Sequence, residues 1–370
     1  MKKLGFGLMR LPLREAGNQA AIDTETGKEM VAKFLERGFT FFDTAYMYHE
    51  GKSEVFFKEA VLDRFPRESF TVTDKMPAMM LHHAHDLERI WHEQVERTGV
   101  TYYDYYWLHA LNKNTVKTLD EIGGWEFMKK LKAEGKVRHI GFSFHDDSAT
   151  LEQILGNHLE MEFVQLQINY IDWENPGVES RRCYELATKY GKPVIAMEPV
   201  KGGSLAQVPQ EVKALFEKVH PTWSPASWAI GYVASLPNVM MVLSGMSNME
   251  QLDDNTRFMQ DFTPLNEEEQ NVIAQAVGLI RKTIAIDCTA CHYCTEGCPR
   301  HIAIPEYFSM MNTLKQFGEA QKGNTRLYYN RLSEKKGKAG DCIECGQCET
   351  VCPQHLPIID NLKLVAETFE

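Results

Sequence analysis

A (β/α)8 TIM barrel followed by a small, mostly α-helical module is the fold class that the sequence predicts, and three observations predict it. Eight β-rich runs alternate with longer amphipathic stretches over roughly the first 275 residues. Gly38, Gly99, Gly135 and Gly191 stand where a helix must stop before the next run begins. Eight of the nine cysteines are gathered behind that alternation, in two short runs. The predicted organisation is a barrel over residues 1–275 and a cysteine module over residues 276–370.

The runs read as strands are, in order, "LGFGLM", "TFFDTA", "FTVTDK", "YDYYWLHA", "VRHIGFSF", "FVQLQINY", "KPVIAMEPV" and "VMMVLSGM". Helical patterns lie between them, among them "GKEMVAKFLERG", "SEVFFKEAVLDRF", "DLERIWHEQVERTG", "GWEFMKKLKAEGK" and "RRCYELATKYG". An open, doubly wound sheet is the alternative. It usually has fewer strands, and no G-x-G-x-x-G turn follows the first run here. The segment "LNEEEQNVIAQAVGLIRKTIAID" reads as a helix leading into the cysteine module.

Bulk properties exclude several classes. The chain has 370 residues, 44% hydrophobic and 25% charged, which is ordinary for a globular protein. Its formal net charge is −11 and its pI about 5.7, which argues against nucleic acid or an anionic membrane as partner. No apolar run approaches membrane-spanning length. The opening "MKKLGFGLMRLPLREAG" breaks its apolar stretch at Arg10 and Pro12, so it is no secretory signal, and a cytoplasmic location is expected. In a reducing compartment the cysteines are thiolate ligands rather than disulfides.

The two runs are "CTACHYCTEGCP" from Cys288 and "CIECGQCETVCP" from Cys342. Each has the spacing C-x2-C-x2-C-x3-C-P, the bacterial ferredoxin run, and the pair resembles dicluster ferredoxin domains. That resemblance implies two [4Fe–4S] clusters with crossed ligation. One would use Cys288, Cys291, Cys294 and Cys352, the other Cys342, Cys345, Cys348 and Cys298. Zinc is the alternative, but it leaves the third and fourth cysteines of each run without a role. The spacer between the runs has helical patterning, so the module resembles the α-helical type of ferredoxin-like domain. Cys183 lies in an amphipathic stretch and reads as a small buried hydrophobe.

The chemistry of the barrel is expected at the C-terminal ends of its strands. Those ends carry Asp43, Lys75 and His109, and Tyr48 follows Asp43 in the same loop. Singly, such an aspartate is usually a cap and such a histidine usually core. Together they form a proton-handling set. A tyrosine, with an ordinary pKa near 10, donates a proton poorly at neutral pH unless its phenolate is stabilised. A nearby ammonium does that, and a carboxylate keeps the ammonium charged. A histidine can donate a hydrogen bond to the carbonyl oxygen that receives the proton.

"FFDTAYMYHEGKSE", "TVTDK" and "YYWLHA" resemble the corresponding segments of the aldo-keto reductase family, and the resemblance runs through the barrel. It implies that Tyr48 is the general acid, Lys75 and Asp43 its tuners, and His109 the group that orients the carbonyl. It further implies a nicotinamide cofactor, NAD(P)H, held through Asp43 and by carboxamide contacts from Ser143 and Gln165. Met197 would lie at the ring-stacking position. Val200, Lys201 and Gly202 in "MEPVKGGSL" would form the pyrophosphate loop, and Asp254 and Asn255 would bind adenine. Four positions depart from the family's pattern. Phe144 replaces an asparagine, Met197 an aromatic residue, and Gly245 and Gln251 the usual basic residues for the 2′-phosphate. Cofactor choice is therefore expected to be weak or to lean to NADH.

The substrate is expected to be a small carbonyl compound or alcohol, selected by the rim loops "PAMMLHHAHD" and "LNKNTVKTLDEIGG". Nicotinamide carries electrons in pairs and each cluster carries one, and the chain has no clear flavin fingerprint. Two roles for the clusters follow: wiring the barrel to an external one-electron partner protein, or serving as structural staples and redox sensors. A nicotinamide-sensing subunit is a third reading, against which an intact acid such as Tyr48 argues.

Overall fold

The eight runs fold as short parallel strands because each is bounded by a helix that must be packed on its outside. The computed structural model describes residues 2–15, 18–175, 178–317 and 322–370. The strands are β1 (Leu4–Gly7), β2 (Phe41–Asp43), β3 (Thr71–Pro77), β4 (Tyr103–Leu111), β5 (Val137–Phe144), β6 (Phe163–Gln167), β7 (Val194–Met197) and β8 (Val239–Gly245). They pair in chain order and close into a barrel. Closure runs from β1 to β8, with Leu4 opposite Val242 and Gly7 opposite Gly245. An open sheet is excluded.

Helices α1 (Thr24–Glu36), α2 (Lys52–Phe57), α3 (Ala84–Thr98), α4 (Lys113–Ile122), α5 (Gly124–Ala133), α6 (Ser148–Asn157) and α7 (Ser180–Lys189) follow successive strands. Further on come α8 (Gln210–Val219), α9 (Pro225–Ala234) and α10 (Met249–Phe258). The four glycines read as helix stops all take positive φ, between 66° and 78°. The second rim segment is not a loop: Asn112 caps α4, accepting from the Asn114 and Thr115 amides.

One buried apolar cluster is made of strand residues alone: Phe41, Trp107, Phe163, Ile195, Met241 and Leu243. Phe163 meets Trp107 edge-on, with ring centroids 5.5 Å apart. β5 passes so close that a Cβ at Gly141 would stand 2.5 Å from the Phe163 carbonyl oxygen.

The chain divides into two compact units. The first comprises Met1–Glu174, Glu179–Pro199 and Ala226–Leu265 and holds the barrel strands. The second comprises Asn175–Val178, Val200–Pro225 and Asn266–Glu370. Within it, α11 (Glu267–Ile280) starts in a capping box, Asn266 with Glu269. α12 (Tyr293–Glu296), α13 (Ile304–Phe317), α14 (Lys322–Ser333), α15 (Gln347–Thr350) and α16 (Ile358–Phe369) follow. The helical spacer is thus α13 and α14, with residues 318–321 outside the described residues. Ile302, Ile304, Tyr307, Phe308, Tyr329, Leu362 and Phe369 are among its core residues.

The two cysteine runs share one backbone shape. Left-handed φ recurs at Ala290 and Glu344 (51° and 55°), His292 and Gly346 (65° and 76°), and His301 and His355 (51° and 50°). They approach closely, since a Cβ at Gly297 would lie 2.2 Å from Gln347 Nε2. Among the described residues no helix is long and apolar enough to cross a membrane.

Candidate active site and cysteine-lined cavities

Three strand ends and one loop bring Asp43, Tyr48, Lys75 and His109 together. Asp43 ends β2 and Lys75 lies in β3, and both are buried. Lys75 Nζ donates to Asp43 Oδ1 at 2.7 Å and to the Thr44 carbonyl at 2.6 Å. Asp43 Oδ1 also accepts from Thr73 Oγ1 at 2.9 Å. The ammonium lies 4.7 Å from the centre of the Tyr48 ring and 4.9 Å from that of Trp107. Tyr48 and His109 meet edge-on at 6.0 Å between ring centres.

Burial pushes Asp43 up and Lys75 down from their ordinary pKa values, and their mutual attraction opposes both shifts. The short Lys75–Asp43 contact, with Thr73 donating to the same oxygen, is the geometry of an ammonium on a carboxylate. His109 is held neutral: burial first, then the charges of Lys75 and His145, push its pKa well below the ordinary value. Its Nδ1 finds no hydrogen-bond partner among the described residues.

His109 owes its place to an irregularity. β4 and β5 slip register between Leu108 and Leu111, and Ala110 takes a φ of 57°. The Ala110 amide then donates to Ser143 Oγ at 2.6 Å. A second layer holds Lys75 from behind. Gln94 Nε2 donates to the Lys75 carbonyl at 3.1 Å and to Glu54 Oε1 at 3.0 Å. Glu54 is paired with Arg97 at 3.0 Å. Asp74 Oδ1 accepts from the Lys75 amide at 2.8 Å, and burial with the nearby Glu54 charge pushes its pKa well up. None of Glu54, Asp74, Gln94 or Arg97 was singled out from sequence.

The residues expected around the nicotinamide and adenine are distributed as follows. Ser143 and Gln165 are buried, and Gln165 Oε1 accepts from Trp107 Nε1 at 3.1 Å. Its amide NH2 remains as a donor group. Met197 closes β7 and is half-buried. Asn255 is buried and donates to Ser244 Oγ at 3.0 Å, while Asp254 pairs with Arg257 at 2.9 Å. Val200, Lys201 and Gly202 belong to the second unit. Lys201 is buried there and pairs with Asp287 at 2.9 Å.

A family model described as aldo/keto reductase matches residues 3–277. The chain belongs to the aldo/keto reductase family. It is 25% identical over 312 residues to a probable aldo-keto reductase of Glycine max, covering 75% of this chain and 86% of that one. It is 23% identical over 297 residues to an uncharacterized oxidoreductase, YqkF, of Bacillus subtilis strain 168, covering 69% and 90%. The holo form of an aldo-keto reductase from Bacillus halodurans superposes with a TM-score of 0.60 at 23% identity, over 74% and 91% of the chains. An aldo-keto reductase from Klebsiella pneumoniae, solved with NADPH, gives 0.59 at 21% identity, over 75% and 90%. This aldo/keto reductase is an oxidoreductase, and it carries a second domain: a model described as 4Fe-4S dicluster domain matches residues 287–356.

In that domain the cysteines ring two cavities. One is lined by Cys288, Cys291, Cys294 and Cys352. The other is lined by Cys298, Cys342, Cys345 and Cys348. Ile304 lines both. Three cysteines of each run thus share a cavity with the last cysteine of the other run. Among the described residues no three His, Cys, Asp or Glu side chains converge tightly enough to hold a single metal ion. Four cysteines around each cavity match what the 4Fe-4S dicluster family model implies, one cubane for each set. Burial and the neighbouring sulfurs push the Cys294 thiol well up, so it keeps its proton unless a metal replaces it. Cys345 is exposed, whereas Cys294, Cys348 and Cys352 are buried. Cys183 is packed in α7, and burial pushes its thiol up to about 12, as suits an inert core residue.

Proposed function

We propose that this oxidoreductase interconverts an aldehyde or ketone and the corresponding alcohol, with NAD(P)H as the hydride carrier and Tyr48 as the general acid. One observation carries the reading: the Lys75 ammonium, bound to Asp43 at 2.7 Å, lies 4.7 Å from the Tyr48 ring. When bound, the nicotinamide supplies a hydride to the carbonyl carbon and the iron–sulfur clusters supply single electrons.

The chain's own residues handle the proton. Tyr48 gives its phenolic proton to the substrate oxygen. Lys75 stabilises the phenolate left behind, and Asp43 keeps Lys75 charged and aimed. Neutral His109 donates a ring N–H to the same oxygen and so sets the direction of the carbonyl. In the alcohol direction the proton returns by the same atoms. Ser143 and Gln165 would hold the carboxamide, Met197 the ring face, and Asp254 and Asn255 the adenine.

The eight cysteines would hold two [4Fe–4S] clusters, one in each cavity. Both cavities are lined by core residues of the module, which supports a structural role for the clusters. The exposure of Cys345 supports an additional outlet from one of them to an external one-electron partner.

The test is a screen of aldehydes and ketones against the anaerobically purified chain with NADH or NADPH. Tyr48→Phe is expected to cut turnover by roughly 10²–10⁴-fold, the usual worth of a general acid. Dinucleotide affinity should change little, because the lost hydroxyl serves the transition state. Retained turnover in that variant would sink the assignment.

A further inference from the structure

β3 outruns its neighbour β2. Their pairing ends at Thr73, opposite Asp43. Alternate residues of a strand turn their main-chain groups to the same edge. On the β2 edge of β3 the Thr71 amide donates to the Thr40 carbonyl at 2.8 Å, and the Thr73 carbonyl accepts from the Thr44 amide at 3.3 Å. Lys75 is next on that edge, past the end of the pairing, and Pro77 after it has no N–H. Two side chains stand where a strand would. The Lys75 amide donates to Asp74 Oδ1 at 2.8 Å, and its carbonyl accepts from Gln94 Nε2 at 3.1 Å.

Behind them lies a buried polar layer whose hydrogens can be counted. Asp74, Glu54 of α2 and Gln94 of α3 are all buried. Gln94 Nε2 gives its second hydrogen to Glu54 Oε1 at 3.0 Å, and its Oε1 accepts from the Tyr106 hydroxyl at 2.5 Å. Arg97 donates to Glu54 Oε2 at 3.0 Å. Both donors therefore serve Glu54, which makes it the anion of the two carboxyls. Asp74 Oδ2 is buried and finds no donor among the described residues. An oxygen so placed must itself carry a proton. Burial, and then the Glu54 charge, push the Asp74 carboxyl well up in the same sense. The other titratable groups against the pair, Tyr103 and Tyr106 of β4, are kept protonated by burial.

We propose that Asp74 is a positioning residue for Lys75: a buried carboxylic acid that shares its proton with Glu54 and, with Gln94, replaces the missing strand. The inference rests on the role given above to Lys75 beside Tyr48. As an acid, Asp74 accepts from the Lys75 amide with one oxygen and donates with the other, so the main chain of the lysine is fixed on both sides. Its ammonium is left to Asp43, the Thr44 carbonyl and the Tyr48 ring. An ionised Asp74 would put a second carboxylate beside Glu54 and draw the ammonium from the opposite face of the strand. The two carboxyls are not interchangeable: Asp74 must both donate and accept, and Glu54 must only accept.

The experiment uses the full chain, reconstituted anaerobically with iron and sulfide. Reduction of an aldehyde is followed with saturating reduced dinucleotide from acid to alkaline pH. Asp74→Leu keeps the bulk and loses both hydrogen bonds. Its kcat is expected to fall by up to about 10²-fold, the cost of a misplaced group, with KM little changed. The alkaline fall of activity should move to higher pH, because the Tyr48 phenolate loses its ammonium. Asp74→Asn, which again offers one acceptor and one donor, should restore both kcat and the profile. Glu54→Gln turns a donor towards Gln94 and Arg97 and should behave as Asp74→Leu does. A lower kcat with an unmoved profile in Asp74→Leu means a merely structural role and overturns the inference alone. So does the reverse pattern, with Asp74→Asn damaging and Glu54→Gln harmless, which would place the proton on Glu54. If Asp74→Leu does not fold, the isosteric variants Asp74→Asn and Glu54→Gln decide on the same profile. A wild-type chain that reduces no aldehyde or ketone overturns the proposed function and this inference together.

Discussion

The barrel site and the cysteine module solve the burial of reactive groups in opposite ways. In the barrel, Asp43, Lys75, Thr73 and the Thr44 carbonyl already satisfy one another, so the charged geometry stands without any ligand. In the module, eight cysteines line two cavities, four around each. The first arrangement is preorganised by protein–protein contacts. On the structural role proposed for its clusters, the second would be completed by what it binds, with folding and loading one equilibrium. The buried Asp43–Lys75 set in the barrel should therefore be separable from cofactor loading, and the cysteines should not.

The sharpest way to break that contrast is Lys75→Met. It leaves the Asp43 carboxylate buried without its cation, which costs about 3–5 kcal/mol and should abolish carbonyl reduction as well. Denaturant unfolding and a turnover assay check both effects. A variant that stays fully stable would mean that the pair is not charged.

Cys298→Ala probes the other side. The crossed cavity lining predicts loss of the cluster bounded by Cys342, Cys345 and Cys348, with about half the iron retained on the first cluster. Iron counting and paramagnetic resonance would reveal it, together with a lower melting temperature for the module. Loss of the cluster of its own run instead would make the ligation local.

His109 gives a smaller, pH-dependent effect. It is kept neutral in the folded chain, whereas an unfolded imidazole titrates near pH 6.5. Above that pH neither state binds the proton. Below it the unfolded chain takes up a proton that the folded chain refuses, so stability falls with acidification, by at most about 1.4 kcal/mol per pH unit. His109→Gln should flatten the stability curve below pH 6.5 and leave it unchanged above.

The smallest expected effect is in cofactor choice. Gly245 and Gln251 carry no charge, Arg257 is engaged by Asp254, and Lys201 by Asp287. With no basic side chain left over among these, NADH and NADPH dissociation constants should lie within about tenfold, or favour NADH. Much tighter NADPH binding would show that one of these pairs opens on loading.

By itself the sequence determined the barrel, the strand-end placement of Asp43, Lys75 and His109, and the cysteine runs, because each is written in a local pattern. Strand alternation, helix-stop glycines and the strand-end positions of Asp43, Lys75 and His109 depend on neighbours a few residues away. So does the spacing within each cysteine run. What only the tertiary structure decided depends on residues far apart in the chain. Ala110 takes its left-handed turn because β4 and β5 lose register there, and no local composition signals that. Gln94 braces Lys75 across 19 positions and Glu54 across 40. The mixing of the two cysteine runs in each cavity, and the pairing of Lys201 with Asp287, are set by where helices pack. Long-range pairings of this kind are fixed by the closing of large loops around a shared core, and that core exists only once the whole chain has folded.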